Sequence, residues 1–226
     1  MIAIFDLDRT VTTHGTFSPW LLGFVRRQPW RLIVLPVILI AALAYKLQLL
    51  TRKQLKQVML RCVVAGQNPA MVAEVNAAFV ASWIPRRCRP GALNAIAEHL
   101  RNGDKVVLAT ASNDVHAVPI ARALGIEHVV ATRAEIAPDG TLTGRISGPN
   151  CYGEDKLDMV KAYLGTVTEK TIAYSDHHSD WPLLAWADEG VAVNPNSRLR
   201  SHAASHRMSI RDWNLENSRS GERARR

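Results

Sequence analysis

The chain opens with MIAIFDLDRT, a short apolar, β-branched run that breaks on two aspartates, Asp6 and Asp8. A run of this length and composition reads as a parallel strand buried on both faces. Such a strand needs a partner on each side and helices over both faces, which confines the chain to an α/β layered fold. The remaining sequence supplies those parts. KVVLAT, HVVAT, KTIAYS and GVAVNP repeat the apolar run. Between them stand the helical patterns PGALNAIAEHLRNG, DVHAVPIARALG, Glu154–Leu164 and DWPLLAWAD. Pro90 suits a first helical turn, and Gly103 can close the same helix. RAEIAPDGTLTGRI sets Asp139-Gly140 between alternating segments, the mark of a β-hairpin. The pattern predicts a Rossmann-like three-layer sandwich with a mainly parallel sheet. Residues 1–15 and 86–205 form its core, and residues 16–85, which carry no strand-like alternation, form an inserted helical domain. Residues 206–226 are polar and basic and read as a loose tail.

Hydrophobic residues make up 47% of the 226-residue chain and charged ones 21%, values of a folded protein and not of a disordered one. A formal charge of +8 favours anionic partners: phosphorylated substrates, nucleic acid or an acidic membrane surface. Cys62, Cys88 and Cys151 are odd in number, widely spaced and free of any CxxC, so neither a disulfide framework nor a zinc site is expected. A reducing compartment follows. No secretory leader is expected, because Asp6 and Asp8 interrupt the first apolar stretch.

Ligand sites in open α/β sheets lie beyond the carboxyl ends of the strands, where Asp6 and Asp8 fall. Two acids held together repel unless a shared proton or a cation relieves them, and a hard divalent ion with oxygen ligands, Mg²⁺ above all, meets that need. Other strand ends add matching groups. Thr110 ends LAT, Lys156 opens a helix after CYGED, and YSDHHSD places Asp176 and Asp180 four apart. A cation beside a helix N-terminus and a hydroxyl near backbone N–H groups can hold a phosphoryl oxygen. Taken singly, each of these residues is an ordinary turn former, cap or solvated side chain; their joint placement points to phosphoryl transfer. His177 and His178, being adjacent, lack ligand spacing and read as loop residues, as does His14. Asn113 reads as a helix cap.

These residues resemble the haloacid dehalogenase superfamily of phosphatases: DLDRT its DxDxT motif, Thr110 its second motif, Lys156 its third and SDHHSD its acidic fourth. The resemblance implies Asp6 as nucleophile, forming an aspartyl-phosphate, and Asp8 as general acid and base. It gives phosphoryl binding to Thr110 and Lys156, and Mg²⁺ to Asp6, the Asp8 backbone carbonyl and Asp176. Asp180 would be a secondary ligand or would position Lys156. Arg9 stands where many relatives have glycine, and Ser175 replaces a common glycine.

Residues 32–45 are fourteen uncharged, almost wholly apolar residues, fewer than the roughly twenty of a spanning helix. Pro36 lies inside the run. Arg26, Arg27, Trp30 and Arg31 precede it, and Lys46, Arg52, Lys53 and Lys56 follow, flanks suited to an anionic bilayer. An ordinary buried helix in a cap bundle is the competing reading. FVRRQPWRLIVLPVILIAALAYK is similar to the cap of bacterial phosphatidylglycerophosphatases of the C type, in the phosphoserine-phosphatase-like branch. That likeness implies a lipid phosphate substrate at the cytoplasmic side of the cytoplasmic membrane, with the protein peripheral or re-entrant there. Arg26, Arg27 and Arg31 would then meet lipid phosphate. The alternatives are a soluble metabolite phosphatase, for example on phosphoserine, and a non-catalytic binder of anionic membranes or nucleic acid. No nucleic-acid-reading motif is present, and the binder reading leaves the acidic cluster unexplained.

Overall fold

A computed structural model describes residues 1–214. Strand β1 (Ile2–Phe5) leads through a wide turn into helices α1 (Phe17–Arg27), α2 (Leu35–Lys46), α3 (Arg52–Val63) and α4 (Pro69–Arg87). A short 3₁₀ turn, Pro29–Val34, joins α1 to α2. Then come α5 (Pro90–Arg101), β2 (Lys105–Asn113), α6 (Asp114–Ala123) and the hairpin of β3 (His128–Ile136) and β4 (Leu142–Ser147). The chain continues through α7 (Glu154–Leu164), β5 (Thr171–Ser175), α8 (Trp181–Trp186), β6 (Glu189–Val193), α9 (Ser197–Ser205) and β7 (Ser209–Arg211).

The sheet runs β4-β3-β2-β1-β5-β6-β7, parallel throughout except for the β3–β4 hairpin. Ala3 and Phe5 enter one apolar layer, Ile2 and Ile4 the other, so β1 is buried on both faces as its composition demands. From β1 the chain first adds strands on one side, β2 and β3, and later on the other, β5 and β6. The direction reverses between β1 and β5, and the crevice at that switch point is where an α/β sheet takes a ligand.

Two expectations change. HVVAT and the start of the hairpin are one continuous strand, β3. Within the tail expected from residue 206, β7 pairs parallel to β6 and Trp213 is buried. Trp213 lies 5.2 Å from the Tyr174 ring centroid and 6.2 Å from that of Phe5. A Cβ on Gly91 would stand 2.6 Å from the Trp213 ring, so only glycine lets α5 pass this indole. Residues 215–226 of the expected tail lie outside the described residues. On the other flank, a Cβ on Gly144 would come 2.6 Å from the Arg61 Cα. That close approach fastens α3 to the β3–β4 hairpin.

Candidate active site

Asp6 follows β1 directly, and its backbone N–H donates to the Tyr174 carbonyl (3.0 Å), which continues the ladder one residue past the strand. The chain then makes a five-residue π-type turn, Leu7–Val11, with Arg9 at φ 67°. That left-handed conformation favours glycine; a side chain there costs roughly 1–2 kcal/mol. The turn brings the Thr10 hydroxyl back to Asp6 Oδ2 (2.9 Å), where it also accepts from the Asp176 backbone N–H (3.0 Å) and lies 3.3 Å from Asp176 Oδ1. Thr10 thereby ties the ends of β1 and β5 together.

Lys156 rises from the first turn of α7 and is 1% exposed. Its ammonium donates to Asp6 Oδ1 (2.8 Å) and to Asp180 Oδ2 (2.6 Å). Asp180 Oδ2 also accepts from the Ser175 hydroxyl (2.7 Å). Asp180 is thus placed to position Lys156, one of the two roles expected for it, and Ser175 supplies an anchor that glycine would lack. Burial opposes the charge on Lys156, but Asp180 and Asp6 outweigh it and hold the ammonium protonated above its ordinary range.

The carboxylates outnumber that single cation. Burial is the main cause that pushes the Asp6 carboxyl up to about 7, with Asp180 and Asp176 adding to it and Lys156 opposing. Burial and then the charge of Asp180 push Asp176 up to about 6. Two oxygen-donor acids short of positive charge fit a hard divalent cation. Among the described residues no group of three or more His, Cys, Asp or Glu side chains is placed to hold a metal. Asp6 and Asp176 would supply two carboxylates, and the rest of the shell would come from other oxygen donors. Magnesium suits it, since it keeps several waters and needs few protein ligands.

Asp8 turns away from this cluster. Its Oδ1 accepts from the Thr16 backbone N–H (2.6 Å) and hydroxyl (2.8 Å), and its Oδ2 from the Ser112 hydroxyl (2.7 Å). Behind Thr16 stands His116, fully buried, with Nε2 3.1 Å from the Thr16 hydroxyl. His116 Nδ1 faces Asn113 Oδ1 at 3.0 Å. Burial pushes this imidazole down to about 4, against the pull of Asp8, and it stays neutral. Asn113 also caps α6, as expected. None of Thr16, Ser112 or His116 was marked by the sequence, because their spacing in the chain carries no motif. A serine two residues past the expected motif threonine, with a histidine one helical turn later, was the available signal.

Asp6, Asp8, Lys156, Asp176 and Asp180 line one cavity of about 350 Å³, with Arg9, Phe17, Arg52, Tyr152 and His177 at its walls. A larger open depression of about 680 Å³ at the far end of β5 has no such cluster; Lys161, Lys170, Trp186 and Asp188 border it. One sequence expectation is corrected here. Thr110 is fully buried and does not reach the cavity. Strand β2 runs on to Asn113 with a register shift after Thr110, so Ala111 lines the wall and Ser112 reaches Asp8. Arg26, Arg27 and Arg31 are also absent from it. Helix α1 starts beside the cavity at Phe17 and carries its basic end about 16 Å away. There Arg27 pairs with Glu74 (2.7 Å), and Arg31 bonds Gln28 Oε1 (2.5 Å) and stacks on Trp30.

A parallel sheet with an acid pair at the switch point, a buried lysine and a second acidic strand end mark a hydrolase of phosphate esters. The chain belongs to the haloacid dehalogenase-like hydrolases, whose family model matches residues 3–185. It is an enzyme of that family's phosphatase type. Protein CicA of Caulobacter vibrioides is 31% identical over 198 residues, 84% of each chain. A protein of unknown function from Bordetella pertussis Tohama I has a crystal structure with TM-score 0.81 and 29% identity, over 94% of this chain and 98% of that one. A substrate-bound phosphoserine phosphatase shares the fold at TM-score 0.61 and 19% identity, over 96% and 95% of the two chains.

Proposed function

We propose that this protein is a magnesium-dependent phosphomonoester hydrolase that works through an aspartyl-phosphate on Asp6, and that its substrate is a membrane lipid phosphate of the phosphatidylglycerophosphate kind. The observation that carries the chemistry is the division of labour between two neighbouring carboxylates. Asp6 is held by Lys156 and Thr10 with its charge incompletely compensated; Asp8 is held apart by Thr16 and Ser112. One acid is oriented to attack phosphorus, and the other to serve the leaving oxygen.

Asp6 attacks the phosphoryl group while Asp8 gives its proton to the departing alcohol. Asp8 then takes a proton from water, which attacks the acyl-phosphate and frees inorganic phosphate. Lys156 offsets charge on the transferring group, and Asp180 and Ser175 keep it aimed. Asp6, Asp176 and the Asp8 carbonyl would hold Mg²⁺, which supplies charge neutralisation when bound.

The lipid reading rests on α2 and its flanks. Among the residues of α2 only Ala41 is buried, while Leu39 is 59%, Ile40 69% and Leu43 57% exposed. The stretch Pro29–Lys46 is long and apolar enough to cross a membrane by length and composition. A helix apolar on every side, with most of its side chains left uncovered by its own chain, fits lipid better than a core. Helices α1 and α3, on either side of it, both bury residues against the body. The segment therefore enters and leaves on one side, as a monotopic anchor, and the basic flanks Arg26, Arg31, Lys46 and Arg52 suit anionic headgroups at the cytoplasmic face. A soluble small-ester phosphatase is the second reading, favoured by the modest cavity and by the fold shared with phosphoserine phosphatase.

Phosphate release from the purified protein separates them, with phosphatidylglycerophosphate in detergent against phosphoserine without it. The lipid reading expects turnover of the lipid to exceed that of phosphoserine by at least about a hundredfold in kcat/KM. Exclusive turnover of phosphoserine rejects it.

A further inference from the structure

Helix α3 buries Lys56, Leu60 and Val63, so a lysine occupies its core-facing stripe. The Lys56 ammonium donates to the Ala111 carbonyl oxygen (2.5 Å) and to Asn150 Oδ1 (2.6 Å), both neutral. Among the described residues no carboxylate lies within ion-pair distance of it. An ammonium has three donors, and an uncompensated buried charge is costly. Burial, with Arg52 adding to it, pushes Lys56 down to about 8. Nothing in the phosphoryl-transfer steps uses this residue.

Its surroundings say what it can meet. Lys56 lines a side chamber of about 140 Å³ with Asp8, Phe17, Arg52, Leu55 and Met59. The chamber adjoins the main cavity, since Asp8, Phe17, Arg52 and Ala111 line both. In-line attack by Asp6 puts the leaving oxygen on the far side of phosphorus, within reach of Asp8. The body of the alcohol then enters this chamber. Phe17, Leu55 and Met59 give it apolar walls, and Lys56 and Arg52 give it positive charge. Asp8, the one acid among its described lining residues, already accepts three hydrogen bonds.

We infer that Lys56 is a specificity-determining residue: it recognises a second anionic group, a carboxylate or a phosphodiester, on the alcohol of the phosphomonoester, and the chamber offers no partner to an ammonium. The inference rests on the phosphomonoesterase reading above and deepens it. A phosphodiester would come from a lipid headgroup, and a carboxylate from a soluble ester.

The experiment is kcat/KM for the wild type, Lys56→Met and Lys56→Arg on four probes. Glycerol 3-phosphate has no second anion, 3-phosphoglycerate has a carboxylate, phosphoserine has a carboxylate and an ammonium, and short-chain phosphatidylglycerophosphate has a phosphodiester. The wild type should prefer an anion-bearing ester over glycerol 3-phosphate by about tenfold or more, and should favour 3-phosphoglycerate over phosphoserine. Lys56→Met should collapse the first ratio, chiefly through KM, and Lys56→Arg should keep it. The wild-type ranking stands as a test even where Lys56→Met fails to fold. Equal wild-type turnover of glycerol 3-phosphate and the anionic esters overturns the inference, as does a Lys56→Met loss uniform across all probes. Preference for 3-phosphoglycerate with no lipid turnover keeps Lys56 in its role and refutes the lipid reading. No phosphate from any ester refutes the phosphatase reading and the inference together.

Discussion

The carboxyl edge of the sheet and helix α2 are extreme in opposite ways. One buries charge, and the other exposes hydrocarbon. At the sheet edge nearly every buried ionic group has an answer inside the chain: Lys156 has two carboxylates, and Asp8 has three donors. What is left over is a deficit of positive charge at Asp6 and Asp176. Along α2 most side chains have no answer, Ala41 and Ile38 apart, and each uncovered leucine or isoleucine forgoes about 1.5–3 kcal/mol of burial. The first region needs small ions to be complete, the second a surface. The account of function follows from that difference.

Removing the nucleophile tests the first region most severely. Asp6→Asn should lower phosphate release about a thousandfold or more while leaving the circular dichroism spectrum intact. The second region should respond separately. Ile33→Glu or Ile40→Glu should weaken sedimentation with anionic vesicles by about tenfold or more, and leave turnover of a water-soluble ester within about twofold. Loss of vesicle binding and soluble-ester activity together would erase the distinction between the regions.

A finer effect concerns protons. The folded-state values of Asp6 (about 7) and Asp176 (about 6) lie above the ordinary 3.8, so the folded protein keeps protons that the unfolded chain has released. Their contribution to stability is therefore present at low pH and is lost as pH rises through about 6 to 7. Metal-free protein should melt lower at about pH 8 than at about pH 5, and excess Mg²⁺ should raise the melting temperature at pH 8 far more than at pH 5. Asp6→Asn should flatten the decline. The smallest effect is local: Arg9→Gly removes the left-handed strain of the turn and should stabilise the protein by at most about 1 kcal/mol in urea titration.

Much of the sheet edge was legible in the sequence because strand ends announce themselves. Asp6, Asp8, Lys156, Asp176 and Asp180 each sit where an apolar run stops or a helix begins, and the fold gathers those points. Thr110 misled for the same reason in reverse. It ends the apolar run, yet β2 continues past it through a register shift that aims Ser112 at Asp8 instead. Arg26, Arg27 and Arg31 lie away from the cavity, because a flank of charge gives no distance from the site. Trp213 was hidden in a polar stretch, since a three-residue edge strand has no periodicity to read. Lys56 had a signal that went unused: it shares one helical face with Leu60, four residues on. Charge on a buried stripe is more informative than charge beside an apolar run.

The central claim is that phosphorus passes through the Asp6 carboxylate. Acid quenching during turnover, borohydride reduction of any acyl-phosphate and peptide mass spectrometry test it directly. The account predicts conversion of Asp6 to homoserine, dependent on substrate and absent from Asp6→Asn. Reduction at Asp8 instead, or release of phosphate with Asp6 never modified, would contradict it.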